Sequence, residues 1–174
     1  YKGSDRGLVV EFGAAYCADG MNAVDWALAN VPVDIKTVGI MGYAGDYGGD
    51  YGAGVRAAAE ANGITVAWEY IVPSTEFDVA QAVGLMVTQP VDAYFPAIGP
   101  TFMAQVAGGA FQQGLTPLAM MAAPSFNDAF VREGFALAPL FNSGSMYLMA
   151  FVGPYEMDTP GHATMRGTFQ AMGI

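Results

Sequence analysis

Residues 37–72 of the chain read TVGIMGYAGDYGGDYGAGVRAAAEANGITVAWEYIV. An uncharged apolar run (37–42) is followed by a glycine-rich loop, an alanine-rich segment (51–62) that ends at Asn62-Gly63, and a second, mainly apolar run (64–72). Apolar runs of this length are typical of strands that are covered on both faces, and the segment between them has the composition of a helix. The stretch therefore predicts a strand–helix–strand unit with parallel strands.

The same alternation continues on both sides of this stretch. Further strands are predicted at 9–12, 93–98, 118–123 and 146–151, and further helices at 20–30, 75–88, 101–114, 127–133 and 160–172. Ser74 or Thr75, Thr101 and Thr159 are the predicted N-caps, and Pro160 suits the first position of the last helix. The predicted fold class is α/β, a three-layer α/β/α arrangement with a mainly parallel sheet.

Ligands of parallel sheets bind beyond the carboxyl ends of the strands. The segments at those ends are 43–50, 73–75, 98–101 and 122–126. They combine aromatic and uncharged residues, a composition that suits holding a small organic molecule better than converting one.

The composition excludes several classes of protein. The chain has 174 residues, of which 6 are basic and 16 acidic, so that its formal net charge is −10. An apolar fraction of 53 % excludes a disordered chain, and the shortage of Lys and Arg argues against binding to nucleic acid or an anionic membrane. A single cysteine excludes a disulfide framework. Two uncharged stretches, 93–127 and 134–155, are interrupted by proline, glycine and amide residues, so neither is predicted to span a membrane.

The glycine-rich loop contains a partial dinucleotide-binding pattern. Residues 52–57, GAGVRA, satisfy G-x-G-x-x-A, but nine residues separate them from the end of the first strand at Gly42, and Asp46 and Asp50 would repel a phosphate. Close packing of the backbone is the favoured interpretation of these glycines. A small-molecule site built on Tyr43 and Tyr47 is a further alternative.

No set of catalytic residues is evident. His162 is the only histidine and has no acidic or cysteine partner nearby in sequence. Cys17 lies among small apolar residues, which is typical of a buried, inert thiol. The acids show no calcium-loop spacing. We therefore predict that the chain is not an enzyme and carries no metal or cofactor.

An ordered set of short motifs resembles one known family. The residues that carry the resemblance are Val38-Gly-Ile-Met, Asp46-Tyr47-Gly48, Asn62-Gly63-Ile64-Thr-Val, Val72-Pro73, Phe77-Asp78, Val91-Asp92-Ala93-Tyr94 and Gln112-Gln113-Gly114-Leu115. Their order and spacing are similar to those of the type I periplasmic solute-binding proteins of ABC transporters, in particular the group that binds branched-chain amino acids.

The resemblance implies two α/β lobes with a solute clamped between them. Residues 20–152 would then be the second lobe, 1–19 a strand and crossing from the first lobe, and 153–174 a crossing and helix toward it, so the chain would be a fragment. Tyr47 matches a position where the family places an aromatic ring over the solute, and residues 99–101 match a ligand loop. Ala123 matches a position where amino-acid binders carry an acid, so an α-amino acid is disfavoured.

The expected function is therefore an extracytoplasmic solute-binding component of an ABC importer, in the periplasm or as a cell-surface lipoprotein. Its partners would be a small organic solute, either branched-chain amino acid-like or an aromatic or carboxylate compound, and a transporter permease, without nucleic acid. A ligand-sensing domain of a receptor or regulator and a flavodoxin-like or Rossmann enzyme are the alternatives. The predicted ligand contacts are Tyr43, Ala44, Tyr47, Ile98, Gly99, Pro100, Thr101, Phe102 and Ala123.

Overall fold

The computed structural model describes residues 15–150 and 157–173. Ala14–Met149 form one compact unit, built on a five-stranded, wholly parallel sheet with the order β2-β1-β3-β4-β5. The strands are β1 (Thr37–Tyr43), β2 (Thr65–Val72), β3 (Ala93–Ala97), β4 (Leu118–Ala122) and β5 (Met146–Met149). The helices of this unit are α1 (Tyr16–Asn30), α2 (Gly48–Ala61), α3 (Val79–Thr88), α4 (Pro100–Gln112) and α5 (Ala138–Asn142).

Two hydrophobic cores cover the two faces of the sheet. Because successive side chains of a strand point to opposite faces, neighbours such as Ile40 and Met41 enter different cores. One core joins the sheet to α1 and α2, and the other joins it to α3 and α4. The predicted three-layer α/β/α class with a parallel sheet is confirmed.

The contact between α1 and α2 explains the glycine pattern of α2. A Cβ atom added at Gly54 would lie 1.9 Å from the carbonyl oxygen of Cys17, and one added at Gly20 would lie 2.2 Å from the carbonyl oxygen of Tyr51. These glycines let the two helix backbones approach closely. Gly52 and Gly54 lie inside α2 rather than in a strand-to-helix turn, so they do not form a phosphate cradle.

The helix starts differ from those predicted. α2 begins three residues before the predicted start at 51, and α1 begins four residues before the predicted start at 20. The added first turn of α2 contains Gly48 and Gly49, whose low helix propensity is overridden by tertiary packing. The strands inside this unit that were predicted at 37–42, 64–72, 93–98 and 118–123 each match the observed strand to within one residue.

Two predicted N-caps are wrong. Asp78, rather than Ser74 or Thr75, caps α3: its carboxylate accepts hydrogen bonds from the backbone N–H groups of Ala80 (2.7 Å) and Gln81 (3.4 Å). α4 begins at Pro100 after Gly99, because proline needs no hydrogen-bond acceptor in the first turn, and not after Thr101.

Three further segments complete the description. The helix predicted at 127–133 is a short 3-10 turn (Asp128–Val131), and another 3-10 turn (Ala123–Ser125) follows β4. β5 ends at Met149, two residues before the predicted end, which lies outside the described residues together with the strand predicted at 9–12.

A sixth helix, α6 (Pro160–Met172), lies outside the compact unit. Its predicted N-cap is confirmed: the Thr159 hydroxyl accepts a hydrogen bond from the backbone N–H of His162 (3.3 Å), and Pro160 occupies the first turn. Within the part of the chain that the structure describes, none of the helices is both long and apolar enough to cross a bilayer.

Candidate functional site

The order of the strands puts a switch point between the carboxyl ends of β1 and β3, where a crevice is expected. The connection from β1 leads to β2 on one side, while the next strands lie on the other side, so the loops that follow β1 and β3 diverge. Such a switch point is where parallel α/β sheets bind their ligands. Gly42 and Ala97 are the last paired residues of the two strands, which places Tyr43 and Ile98 at the mouth of the crevice.

Tyr43 joins the end of β1 to the start of α4. Its phenolic oxygen accepts a hydrogen bond from the backbone N–H of Gly99 at 2.9 Å. A Cβ atom at Gly99 would lie 3.1 Å from this oxygen, tighter than most contacts of that kind, so a residue without a side chain suits the position. The hydroxyl of Tyr43 is thereby held at the mouth of the crevice.

Ser125 and Tyr47 close a gap between β3 and β4. The two strands pair over only two residues each, up to Tyr94 and Ala119, whereas β1 and β3 pair over five. The hydroxyl of Ser125, which is fully buried, accepts a hydrogen bond from the N–H of Ile98 (3.1 Å) and lies 3.2 Å from the carbonyl oxygen of Pro96. The Tyr47 hydroxyl lies 3.0 Å from Ser125 Oγ and 3.3 Å from the carbonyl oxygen of Ile98.

A second tyrosine of the same helix face completes this gap. Tyr51, one turn after Tyr47, donates its hydroxyl to the carbonyl oxygen of Met120 in β4 at 2.8 Å. Burial raises the pKa of both phenols above the ordinary value, that of Tyr51 most strongly, so both groups are neutral. Side chains thus satisfy the main-chain groups that strand pairing leaves free.

An aromatic cluster forms the wall of the crevice on the α3 and α4 side. The ring of Tyr43 meets those of Phe77 and Phe102 edge to face, with centroids 5.8 and 6.3 Å away. Phe77 also contacts Phe102 (5.3 Å) and Tyr70 (5.2 Å). Such contacts fix the orientation of each ring.

The opposite wall is also aromatic but lies near carboxylates. Tyr16 of α1 packs on Tyr47 with ring centroids 4.9 Å apart. The pKa of Tyr16 is raised by burial and, to a lesser degree, by the negative charges of Asp19 and Asp46. The negative potential of these acids therefore reaches this wall.

The charged residues around the crevice are acidic. Asp46, Asp50, Glu76 and Asp78 are exposed in or just after the loops that follow β1 and β2. The three basic residues in the described range 15–150 are committed elsewhere: Lys36 pairs with Asp34 (2.6 Å), Arg56 with Glu69 (2.6 Å), and Arg132 with Asp128. Within that range the crevice is a neutral site with an acidic surround.

All nine residues predicted to contact a ligand lie at this carboxyl edge. Tyr43, Tyr47, Ile98, Gly99 and Phe102 belong to the hydrogen-bonded and aromatic clusters described above. The other four surround them: Ala44 donates its N–H to the carbonyl oxygen of Val72 (2.8 Å), Pro100 and Thr101 form the first turn of α4, and Ala123 begins the 3-10 turn that ends at Ser125. Their role in binding stays a prediction.

Sequence reasoning missed Ser125, Tyr51 and Phe77 as parts of this cluster. Ser125 lies in the segment predicted to follow a strand end, which was the one available signal, and Phe77 lies within a family-like motif. Tyr51 follows Tyr47 at helical spacing, which places both on one face of α2.

The remaining candidates for chemistry, His162 and Cys17, have contacts of their own. His162 is in α6, where its Nδ1 lies 2.7 Å from the Thr159 hydroxyl. The backbone of Cys17 packs against Gly54 at the contact between α1 and α2. Over the residues described, no group of three or more His, Cys, Asp and Glu side chains is arranged to hold a metal ion.

A depression of about 250 Å³ lies at the opposite, amino edge of the sheet. Its lining comes from the end of α3 and from the turns that lead into β3 and β4: Met86, Pro90, Val91, Gly114, Leu115, Thr116 and Pro117. It has one hydroxyl side chain and no charged one, and it lies away from the crevice at the switch point. The carboxyl edge, with its convergent hydroxyl groups, is the stronger candidate.

The known structures identify this architecture. No described protein family and no curated protein sequence matches the chain. A fatty acid ABC transporter substrate-binding protein from Thermomonospora curvata matches with a TM-score of 0.75 and 23 % identity, over 95 % of this chain and 43 % of the other. A solute-binding protein of an ABC transporter from Rhodopseudomonas palustris HaA2, in complex with p-hydroxybenzoic acid, matches with a TM-score of 0.68 and 15 % identity, over 97 % and 44 %.

A third structure agrees with these two. It is the solute-binding protein of an ABC transporter from Rhodopseudomonas palustris BisB5 in complex with 3,4-dihydroxybenzoic acid, with a TM-score of 0.63 and 19 % identity, over 76 % of this chain and 36 % of the other. The chain thus spans less than half the length of each of these proteins. It has the fold of the type I periplasmic solute-binding proteins of ABC transporters.

Proposed function

We propose that the chain is part of an extracytoplasmic solute-binding component of an ABC importer, and that it holds one side of a small organic solute at the carboxyl edge of its sheet. The observation that carries the proposal is the convergence of Tyr43, Tyr47 and Ser125 at the switch point between β1 and β3. The neutral hydroxyls and aromatic rings there suit binding rather than conversion.

The proposed solute is an organic acid or a related aromatic compound. The solved structures of this fold reported above include a fatty acid substrate-binding protein and complexes with p-hydroxybenzoic and 3,4-dihydroxybenzoic acids. The aromatic walls formed by Phe77, Phe102 and Tyr16 are consistent with such ligands. The alternative of a branched-chain amino acid-like solute, and with it amino acid transport, gains no support from these structures, and Ala123 offers no acid to an ammonium group.

The proposed mechanism is closure of two lobes around the solute. In this proposal residues 20–152 are one lobe, residues 1–19 and 153–174 cross toward the other, and the opposing lobe is supplied by further chain. A solute that contacts both lobes stabilises the closed state because it makes more contacts there than in the open state. The closed form would then dock on a transporter permease, either in the periplasm or at the cell surface.

Titration of the ¹⁵N-labelled 174-residue chain tests this proposal. The probes are 4-hydroxybenzoate, 3,4-dihydroxybenzoate, octanoate and, for comparison, leucine. A complete site with a Kd of about 1 μM has a binding free energy of roughly −8 kcal/mol, so half of it corresponds to a Kd of about 1 mM. We expect such weak binding of at least one acid, with shifts centred on the amides of Ile98, Gly99 and Ser125.

Three results would count against the proposal. Shifts confined to the depression at the amino edge would move the site away from the crevice. Saturation at sub-micromolar concentration would contradict a site shared between two lobes. Binding of leucine in preference to every acid would reject the proposed class of solute.

A further inference from the structure

We infer that the hydroxyl of Tyr43 is the hydrogen-bond donor of this site, and that it recognises an acceptor oxygen on an uncharged part of the solute. Tyr47, whose hydroxyl lies close by, is by contrast a positioning residue. The inference rests on the proposed function, because it assigns the chemistry of the same crevice. It follows from an account of where each hydroxyl proton is used.

The proton of Tyr47 is used inside the protein. Ser125 Oγ has one proton and three neighbours: the N–H of Ile98, the carbonyl oxygen of Pro96 and the Tyr47 hydroxyl. If Ser125 donates to Pro96, Tyr47 donates to Ser125. If Ser125 donates to Tyr47 instead, Tyr47 donates to the carbonyl oxygen of Ile98. Both arrangements consume the proton of Tyr47.

The proton of Tyr43 is not used in this way. Its oxygen acts as the acceptor for the N–H of Gly99, and an N–H group can only donate. Among the described residues no carbonyl, carboxylate or hydroxyl oxygen accepts a hydrogen bond from Tyr43. A phenol carries both a donor and acceptor sites, so Tyr43 keeps an O–H donor for a molecule in the crevice.

The position of this donor is fixed before any ligand arrives. The ring of Tyr43 is held by edge contacts with Phe77 and Phe102, and its oxygen is held by Gly99. A donor that is already oriented loses little conformational freedom on binding, so its hydrogen bond contributes more to affinity.

The charges define which part of the solute lies here. Asp46 and Asp50 follow β1, Glu76 and Asp78 follow β2, and the three basic residues of the range 15–150 are paired elsewhere. These acids disfavour a carboxylate at the Tyr43 hydroxyl. An uncharged acceptor, such as an ether, carbonyl or phenol oxygen on an aromatic or aliphatic body, can accept the Tyr43 proton without being repelled by these acids.

A pair of near-isosteric probes tests the inference on the 174-residue chain. 4-Methoxybenzoate carries an ether oxygen that only accepts hydrogen bonds, and 4-ethylbenzoate has a methylene in its place. One neutral hydrogen bond changes affinity by about 3- to 10-fold, so we expect the wild-type chain to prefer the methoxy probe by that factor in an NMR titration. In Tyr43→Phe the preference should fall to about 1.

Two variants serve as controls. Tyr47→Phe should weaken both probes equally and keep the preference, because a positioning residue acts on the site rather than on the ether oxygen. Tyr94→Phe removes a hydroxyl group from the core, where Tyr94 is 2 % exposed, and should leave the affinities for both probes unchanged. Loss of the preference in Tyr47→Phe with its retention in Tyr43→Phe would overturn the assignment.

A measurement on the unmodified protein keeps the test independent of the folding of the variants. When an acceptor engages the Tyr43 O–H, the hydrogen bond from Gly99 to the same oxygen strengthens. The Gly99 amide proton should therefore move further downfield with 4-methoxybenzoate than with 4-ethylbenzoate. Equal affinities and equal Gly99 shifts for the two probes would overturn the inference, whereas absence of binding by every acid would reject the proposed function itself.

Discussion

At its amino edge the sheet is tied together by a carboxylate, whereas at its carboxyl edge it is tied by hydroxyl groups. Oδ2 of Asp92, just before β3, accepts hydrogen bonds from the N–H groups of Lys36 (2.9 Å) and Thr37 (2.8 Å) and from the Thr37 hydroxyl (2.9 Å). At the other edge, Tyr43 links the ends of β1 and β3, and Tyr47 and Ser125 close the gap between β3 and β4. A carboxylate only accepts hydrogen bonds, and the donors at the amino edge satisfy it. Hydroxyl groups also donate, and the O–H of Tyr43 has no acceptor among the described residues.

The largest effect on stability is expected from Ser125→Ala. The substitution removes the partner of the Ile98 N–H, the Pro96 carbonyl oxygen and the Tyr47 hydroxyl in a fully buried position. An unsatisfied buried group costs about 1–3 kcal/mol, so the free energy of unfolding should fall by roughly 3 kcal/mol in urea denaturation. Ser143→Ala is the matched control, because Ser143 is exposed and should change stability by less than about 0.5 kcal/mol. Equal losses would show that the hydroxyl network is not what closes this edge.

The carboxylate at the amino edge is expected to contribute somewhat less. Asp92→Ala should lower the free energy of unfolding by about 2 kcal/mol, because hydrogen bonds to a charged acceptor are strong but this site is partly exposed. Asp34→Asn breaks only an exposed ion pair with Lys36 and should cost less than about 0.5 kcal/mol. A larger loss in Asp34→Asn than in Asp92→Ala would locate the stabilisation in the ion pair instead.

The same contact predicts a dependence on pH. The backbone N–H of Lys36, with smaller contributions from Thr37, lowers the pKa of Asp92 below the ordinary value of 3.8, against the effect of burial. The folded chain therefore holds this proton less tightly than the unfolded chain does. The contribution of Asp92 should be complete above the ordinary value and should disappear as the pH falls through the lowered pKa. Urea denaturation of wild type and Asp92→Ala between pH 7 and pH 2 measures it, and a constant difference would contradict this account.

Asp19 shows what a carboxylate does without such donors. It lies in the first turn of α1, is 9 % exposed, and its Oδ2 has no hydrogen-bond partner in the range that the structure describes. Burial raises its pKa above the ordinary value of 3.8. The folded chain holds this proton more tightly than the unfolded chain does. Protonated Asp19 therefore stabilises the fold below the pKa of the unfolded chain, and this contribution is lost as the pH rises through the raised pKa.

Asp19→Asn should therefore stabilise the chain by about 1 kcal/mol at pH 7, since it removes a buried charge, although the helix dipole favours an acid here. The gain should shrink as the pH falls toward 4. Asp25→Asn, an exposed position on the same helix, is the control and should show no comparable gain. Destabilisation of Asp19→Asn at pH 7 would mean that the carboxylate has a favourable partner.

The strands and the edge of the sheet that carries the candidate site could be predicted because both depend on local patterns. Continuous apolar runs mark strands that are buried on both faces, and the alternation with helices makes the sheet parallel, so the loops after β1 and β3 had to lie at one edge. Tyr43 and Tyr47 could be found in this way because Tyr43 ends β1 and Tyr47 lies in the loop that follows it.

The hydroxyl network could not be predicted, because it depends on which strands separate. Nothing in residues 122–126 distinguishes Ser125 until β3 and β4 are known to pair over only two residues, which leaves the Ile98 N–H in need of a partner. The prediction of the α3 cap failed for a more local reason. Ser74, Thr75 and Asp78 are all residue types that cap helices, and the turn that precedes the helix selects Asp78.

The smallest effect on stability is expected from Tyr43→Phe, and it separates the two tyrosines of the crevice. Tyr43 is half-buried and supplies only an acceptor for Gly99, so its loss should cost about 0.5 kcal/mol in urea denaturation, at the low end for a hydrogen bond. Tyr47→Phe leaves Ser125 and the Ile98 carbonyl oxygen without a donor and should cost about 1–1.5 kcal/mol. In ligand binding the order should reverse for probes with an acceptor oxygen, since only the Tyr43 proton is unused. If Tyr43→Phe were the more destabilising of the two, its proton would already be spent within the fold, and the hydroxyl groups of this edge would be as fully committed as the carboxylate of the other.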